Sequence, residues 1–142
     1  MDPAPHGSQE RSAPPEVGVG LDLVSVGRIR RVLRRSPGFA GYFHPRERHA
    51  ARGRRDPAAH LALCFAVKEA LLKAHGLGIF DGIALRDIAY DPNRGAVRIE
   101  PVAAKHLGHL RHLVTTARRG DFAWAFVLAI PDPATDRRFD GS

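Results

Sequence analysis

Cysteine is almost missing from this chain: Cys64 is the only one in 142 residues, so no disulfide can form within it. Acidic residues are the scarcer charge, 15 Asp and Glu against 22 Lys and Arg, which leaves a formal charge of +7 and a pI of about 10.7. That sign points to an acidic partner, which charge alone leaves open among nucleic acid, an anionic membrane surface, an acidic protein and a phosphate-rich ligand. No apolar run reaches bilayer length, and the start M-D-P-A-P-H-G-S has neither the basic residues nor the hydrophobic stretch of a secretion signal. A cytoplasmic location is expected, with no membrane partner. Aromatic residues interleaved with basic ones, the mark of a single-strand binder, are also lacking, so no nucleic-acid partner is expected. Neither a G-x-S-x-G elbow, a cysteine beside a partnered histidine nor a repeat of solenoid length is present. Nucleophilic catalysis by the protein itself has no candidate.

What is present fits one domain. The chain is long enough for a single core, and 44% of its residues are hydrophobic. Residues 1–16 are rich in Pro, Ser and charge and read as a disordered leader, residues 17–130 as the folded domain, and residues 131–142 as a loose tail.

The organising stretch is D-P-A-A-H-L-A-L-C-F-A-V-K-E-A-L-L-K-A-H-G-L-G, from Asp56 to Gly78. It reads as one helix with Asp56 as its cap, Pro57 at its first position and Gly76 at its left-handed end. Leu61, Cys64, Phe65, Leu71 and Leu72 form an apolar stripe at helical spacing, and Cys64 is expected to be a buried packing residue. Lys68 and Glu69 interrupt that stripe. A charged pair there must be solvated, paired, or bound to an ion or ligand. Glu69 and Lys73, four apart, also suit a surface ion pair worth only ~0.3 to 0.5 kcal/mol.

Upstream, V-G-V-G-L-D-L-V alternates as a strand, with Val17, Val19, Leu21 and Leu23 on one face and Gly18, Gly20 and Asp22 on the other. Glycine admits the close approach of a backbone or ligand. Asp22 then suits a metal or phosphate contact, or a cap for the next helix. The G-x-G lacks the third glycine and immediate helix of a dinucleotide fingerprint. Ser25 caps a helix running to about Arg35 that buries Val26, Ile29, Val32 and Leu33, while Arg28, Arg30, Arg31, Arg34 and Arg35 stay outside. That basic face is either merely solvated or a dock for an acidic partner.

S-P-G at 36–38 stops this helix, Phe39, Tyr42 and Phe43 are placed to pack, and Pro45 starts another short helix. Beyond the central helix, Gly76 to Gly82 is a turn whose amides could face an anion. Ile83 to Tyr90 and Ala96 to Glu100 read as a hairpin, Val102 to Leu110 as a short helix, and Arg111 to Ala117 with Phe122 to Ile130 as a second hairpin. The run F-A-W-A-F-V-L-A-I is apolar enough for a strand buried on both sides. His106, His109 and His112 recur every third residue, but His112 leaves the helix and no carboxylate repeats with them, so no zinc site is expected there.

Taken together, V-G-V-G-L-D-L-V-S-V-G-R-I and C-F-A-V-K-E-A-L-L-K-A-H-G-L-G-I resemble the 4'-phosphopantetheinyl transferases of the holo-acyl-carrier-protein synthase type. The resemblance extends through F-H-P-R-E-R, L-R-D-I and the final strand, covering about 17–130. It implies an α+β fold with a small antiparallel sheet packed on a long central helix, assembled as a trimer with coenzyme A in the clefts between subunits. The implied reaction moves the phosphopantetheine arm of coenzyme A to a serine of an acyl or peptidyl carrier protein, in a pathway left open.

Residue by residue, the resemblance implies that Asp22 and Glu69 hold Mg2+ against the pyrophosphate, with Lys68 and Lys73 as basic partners. It further implies that the serine proton passes to Glu69 or to a water on the magnesium, that Gly76 and Gly78 let the backbone approach the cofactor, and that Arg28, with Arg31 beside it, meets the acidic carrier protein. One departure stands out. Where the family carries S-x-[ST]-H-[ST], this chain has L-V-T-T-A-R-R-G-D-F-A, so Thr115 or Thr116 would replace the hydroxyl and Arg118 or Arg119 the histidine. The departure keeps open a diverged member that docks a carrier protein without transfer.

Overall fold

Alternation of apolar residues with glycine makes the first strand, β1 (Gly18–Ser25). The computed structural model describes residues 17–79, 81–107 and 110–133, so the expected leader and most of the expected tail lie outside the described residues. Ser25 ends the strand and caps α1 (Val26–Arg35), its hydroxyl accepting from the Arg28 amide at 3.2 Å. A 3-10 turn (Pro37–Tyr42) leads to α2 (Pro45–Arg52), which begins with a reciprocal capping box between His44 and Glu47. The central helix is α3 (Pro57–Ala74), capped by Asp56 and closed by Gly76 at φ 69°. Then come β2 (Ile88–Asp91), β3 (Ala96–Ile99), α4 (Pro101–Leu107), β4 (Leu110–Arg119) and β5 (Phe122–Pro131). No helix among the described residues is long and apolar enough to cross a membrane.

The strands form two antiparallel sheets rather than one: β1-β5-β4, with β5 central, and the separate hairpin β2-β3. The long sheet lies on α3. Its inner row places Gly18, Gly20, Asp22 and Val24 opposite Ala129, Val127, Ala125 and Ala123, all four partners fully buried. Small residues on this row let the helix backbone come close. A Cβ on Gly20 would stand 1.7 Å from the Ala70 carbonyl oxygen, and one on Gly18 1.8 Å from that of Ala74. The outer face is different: Val19, Leu21, Leu23, Leu113, Phe122 and Phe126 are exposed. The expectation that the β5 run is buried on both sides therefore holds for one face only.

Three other expectations are corrected. The strand expected over Ile83 to Tyr90 is broken by a 3-10 turn (Leu85–Asp87), closed by the Asp87 amide on the Ala84 carbonyl at 2.9 Å, so the strand itself begins at Ile88. The helix expected over Val102 to Leu110 starts at Pro101, because the Glu100 carbonyl accepts from both Ala103 and Ala104, and it ends before Leu110 opens β4. The third concerns α3, which is buried on nearly every side instead of along a stripe, since α1, α2, β2 and the long sheet all pack on it.

Lys68 shows the consequence of that enclosure. It is fully buried, ion-paired with Glu47, donating to the Tyr42 carbonyl at 3.0 Å and lying 5.2 Å from the centre of the Phe43 ring. Glu47 completes the network by accepting from the His44 and Tyr90 amides, each at 2.9 Å. Burial pulls the Lys68 ammonium below its ordinary pKa, and the charge and hydrogen bond of Glu47 pull the other way. The pair ties α2 and β2 to α3. Lys68, expected at the site, is therefore enclosed as a structural cation. Lys68→Met would strand a charged Glu47 in the core and should cost about 3–5 kcal/mol in chemical denaturation, whereas a loss below about 1 kcal/mol would mean that the pair behaves as a surface bridge.

Candidate active site

The close approach of β1 to α3 decides where Asp22 goes. Two residues past Gly20 on the same face, its carboxylate accepts from Lys73 Nζ at 2.8 Å, and Lys73 also donates to the Leu21 carbonyl at 3.3 Å. The hydrogen bond to Asp22, with a smaller opposing effect of burial, holds the Lys73 pKa above its ordinary value. Lys73 is thus drawn across to the strand instead of resting as a surface partner of Glu69.

Glu69, one turn earlier, is left as the unusual group. Its Oε1 is buried without a hydrogen-bond partner. Desolvation first, and the nearby charge of Asp22 second, push its pKa up, with Lys73 offsetting part of the rise. An ionised carboxylate oxygen so placed is unfavourable until a cation meets it.

Two carboxylates, one of them unpartnered, suit Mg2+, which takes oxygen donors, keeps several waters, and completes its shell with substrate phosphates. Among the described residues no group of three or more His, Cys, Asp and Glu is placed to hold a metal without such help. Both acids line a cavity of about 670 Å³ together with Ser25, Arg28, Phe65 and Ile79. The two acids and Arg28 are set in a wall that is otherwise largely apolar, the usual make-up of a small-molecule site.

The remaining expected residues are distributed unevenly. Arg28 is exposed and lines the same cavity, whereas Arg31 is exposed but absent from its wall. Gly76 has open space around it, but its amide is spent on the Lys73 carbonyl, and the Gly78 amide is taken by Asp81 at 2.5 Å. These two amides are not displayed as an anion cradle. Thr116 is in register with Ala125, one strand beyond Asp22, and shares a hydrogen bond of 3.1 Å with the Tyr90 hydroxyl. Two strand spacings separate it from Asp22 by roughly 10 Å. Arg118 donates to Asp56 at 3.3 Å, beside Arg30 on the same carboxylate, and does not reach the acid pair. Within one chain, then, Asp22, Glu69, Lys73 and Arg28 meet, while Lys68, Thr116 and Arg118 stay apart from them.

Asp121 was not expected and has a clear role. From the turn between β4 and β5 it accepts from the Ser25 hydroxyl at 2.5 Å and the Gly27 amide at 2.8 Å, and its own carbonyl accepts from Val26. It thereby fixes the start of α1. No local pattern announces it, because the contact spans more than ninety residues.

Comparison with known proteins identifies the family and the fold. The family model described as the 4'-phosphopantetheinyl transferase superfamily matches residues 18–127. The chain is 36% identical over 119 residues to the holo-[acyl-carrier-protein] synthase of Syntrophotalea carbinolica, spanning 78% of this chain and 93% of that one. Its fold is similar to the holo-[acyl-carrier-protein] synthase from Neisseria meningitidis, with a TM-score of 0.71, 32% identity, and coverage of 79% of this chain and 96% of the other. It is also similar to a Chronobacterium ammoniagenes ACPS-CoA complex, with a TM-score of 0.71, 28% identity, and coverage of 82% and 98%. The chain belongs to the 4'-phosphopantetheinyl transferase superfamily, and within it to the enzymes of the holo-[acyl-carrier-protein] synthase type.

Proposed function

We propose that this protein transfers the 4'-phosphopantetheine arm of coenzyme A to a serine of an acyl or peptidyl carrier protein, releasing 3',5'-adenosine bisphosphate. The observation that carries the reading is the buried, unpartnered oxygen of Glu69 beside Asp22 in an open cavity. The coenzyme A complex of the similar Chronobacterium protein supports the donor, and the synthase relatives support the acceptor.

Asp22 and Glu69 would hold Mg2+, which when bound supplies charge neutralisation at the pyrophosphate. Lys73, fixed by Asp22, adds positive charge beside the same phosphates. The carrier serine oxygen bonds to the β-phosphorus, the bond from that phosphorus to the bridging oxygen breaks, and the bisphosphate leaves with the electron pair. Glu69, whose second carboxylate oxygen is not needed for the cation, would take the serine proton. Arg28 at the mouth, with Arg31 further along α1, would meet the acidic carrier.

Assembly as a homotrimer belongs to the same proposal, supported by the apolar outer face of β1, β4 and β5, which is unusual for a lone soluble chain. Residues absent from the single-chain cavity, Thr116 and Arg118 among them, would then serve a neighbour's site. A second reading, a carrier-docking member without transfer, has one observation in its favour: Arg118 is engaged by Asp56 and so is not free in the place of the family histidine.

Intact-protein mass spectrometry of an apo acyl carrier protein incubated with this protein, coenzyme A and Mg2+ separates the two. The expected result is a gain of one phosphopantetheine that chelator prevents. Asp22→Asn and Glu69→Gln should each slow it at least about 100-fold while remaining folded. Full activity in both variants would remove this mechanism, and no transfer by wild type, with coenzyme A bound, would favour the docking reading.

Acid should matter in a particular direction. Because the folded pKa of Glu69 lies above its ordinary value, protons compete with the cation at higher pH than for a free glutamate, and transfer should fall as pH drops through that raised value. By the same linkage the metal-free protein loses stability as pH rises from the ordinary glutamate pKa to the raised one. Glu69→Gln should therefore melt higher than metal-free wild type at neutral pH, which calorimetry can check.

A further inference from the structure

His112 and His75 form a cluster that the transfer reaction leaves unused. His75 closes the C-terminal end of α3, and His112 lies on the inner face of β4, in the row that runs through Ala129 to Gly18. Their Nε2 atoms are 2.7 Å apart, their ring centres 5.0 Å apart, and both rings are half-buried. Two neutral imidazoles in this arrangement share a single proton. One Nε2 donates and the other presents its lone pair at the same point.

We propose that His75 and His112 form a site for a borderline divalent transition metal, with Zn2+ as the representative ion, bound through the two Nε2 atoms and completed by water. Zinc takes imidazole nitrogen at ~2.0–2.1 Å, so two such ligands at a tetrahedral angle stand about 3.3 Å apart. Opening the present 2.7 Å pair to that separation requires each ring to turn so that its lone pair leaves the partner nitrogen and points at a shared ion, with replacement of the shared proton by the cation. Imidazole pairs favour Zn2+, Ni2+ or Cu2+ over Mg2+, which seeks oxygen. The site is therefore distinct in chemistry from Asp22 and Glu69.

Protonation does not stand in the way. Burial lowers the pKa of both rings, and the neighbouring His75 lowers that of His112 further, to about 4. Both rings are then neutral at physiological pH, the form a metal requires. No third metal ligand joins them among the described residues, and their half-exposed position leaves room for water. His106 lies apart on α4, and His109 is outside the described residues. Bound metal would clasp the end of α3 to β4, directly before the Gly76 turn. The proposal does not depend on the transfer reaction.

The test is long-range nitrogen NMR of the histidine rings in the full chain, titrated with Zn2+ in the presence of excess Mg2+. The expected result is that the Nε2 signals of His75 and His112 move together to a metal-bound position with one equivalent. Zn2+ should raise the melting temperature of wild type and should do so less in His112→Leu. Unmoved Nε2 signals at saturating Zn2+, including the case where zinc binds only at the carboxylates or at other histidines, would overturn the proposal. The wild-type measurement decides the matter even if His112→Leu fails to fold.

Discussion

The approach of β1 to α3 without intervening side chains is the constraint on which the site depends. Ala70 and Ala74 present carbonyl oxygens where β-carbons of Gly20 and Gly18 would be, so strand and helix meet backbone to backbone. That contact brings the next residue on the strand face, Asp22, to Lys73 and places its charge near Glu69. A bulkier strand face would hold the carboxylates apart. The acid pair is thus a product of two glycines as much as of two acids.

Around this contact the helix is held from other directions by polar interactions of long reach. The enclosed Glu47 and Lys68 pair fixes α3 against α2 and β2, while Asp121 fixes α1 from the far turn. Such networks are unfavourable when broken and specify one arrangement when complete. Glu69, one residue from Lys68, is treated differently: it is half-buried, and its enclosed Oε1 has no hydrogen-bond partner. Adjacent charged residues on one helix are thus treated in two ways, one paired inside the fold and the other left with an unpartnered oxygen, which under the proposed function would meet a cation.

Much of this was legible in the sequence because it rests on local signals. Asp56, Pro57 and Gly76 mark the ends of α3, Ser25 marks the start of α1, and alternation places Gly18, Gly20 and Asp22 on one face. The K-E-A helix, together with G-x-D, was enough for the family resemblance, which the comparisons bear out. What escaped was whatever long-range contact decides. Helical spacing could not tell that Lys68 turns inward to Glu47, that Lys73 crosses to Asp22, or that Asp56 captures Arg118. The open outer face of β5 escaped for the same reason, since an apolar run looks alike whether a neighbour covers it or not. The proximity of His75 to His112, 37 residues apart, has no sequence signature at all.

The account turns on the half-buried carboxylate of Glu69, with one oxygen enclosed and unpartnered, being a place for a cation, and the most direct measurement is its own titration. Carboxyl-carbon NMR, with Glu69→Gln to assign the signal, should show metal-free Glu69 titrating above the ordinary glutamate value of 4.5, and titrating lower once Mg2+ and coenzyme A are added. A Glu69 that titrates at the ordinary value and ignores Mg2+ would contradict the account at its centre.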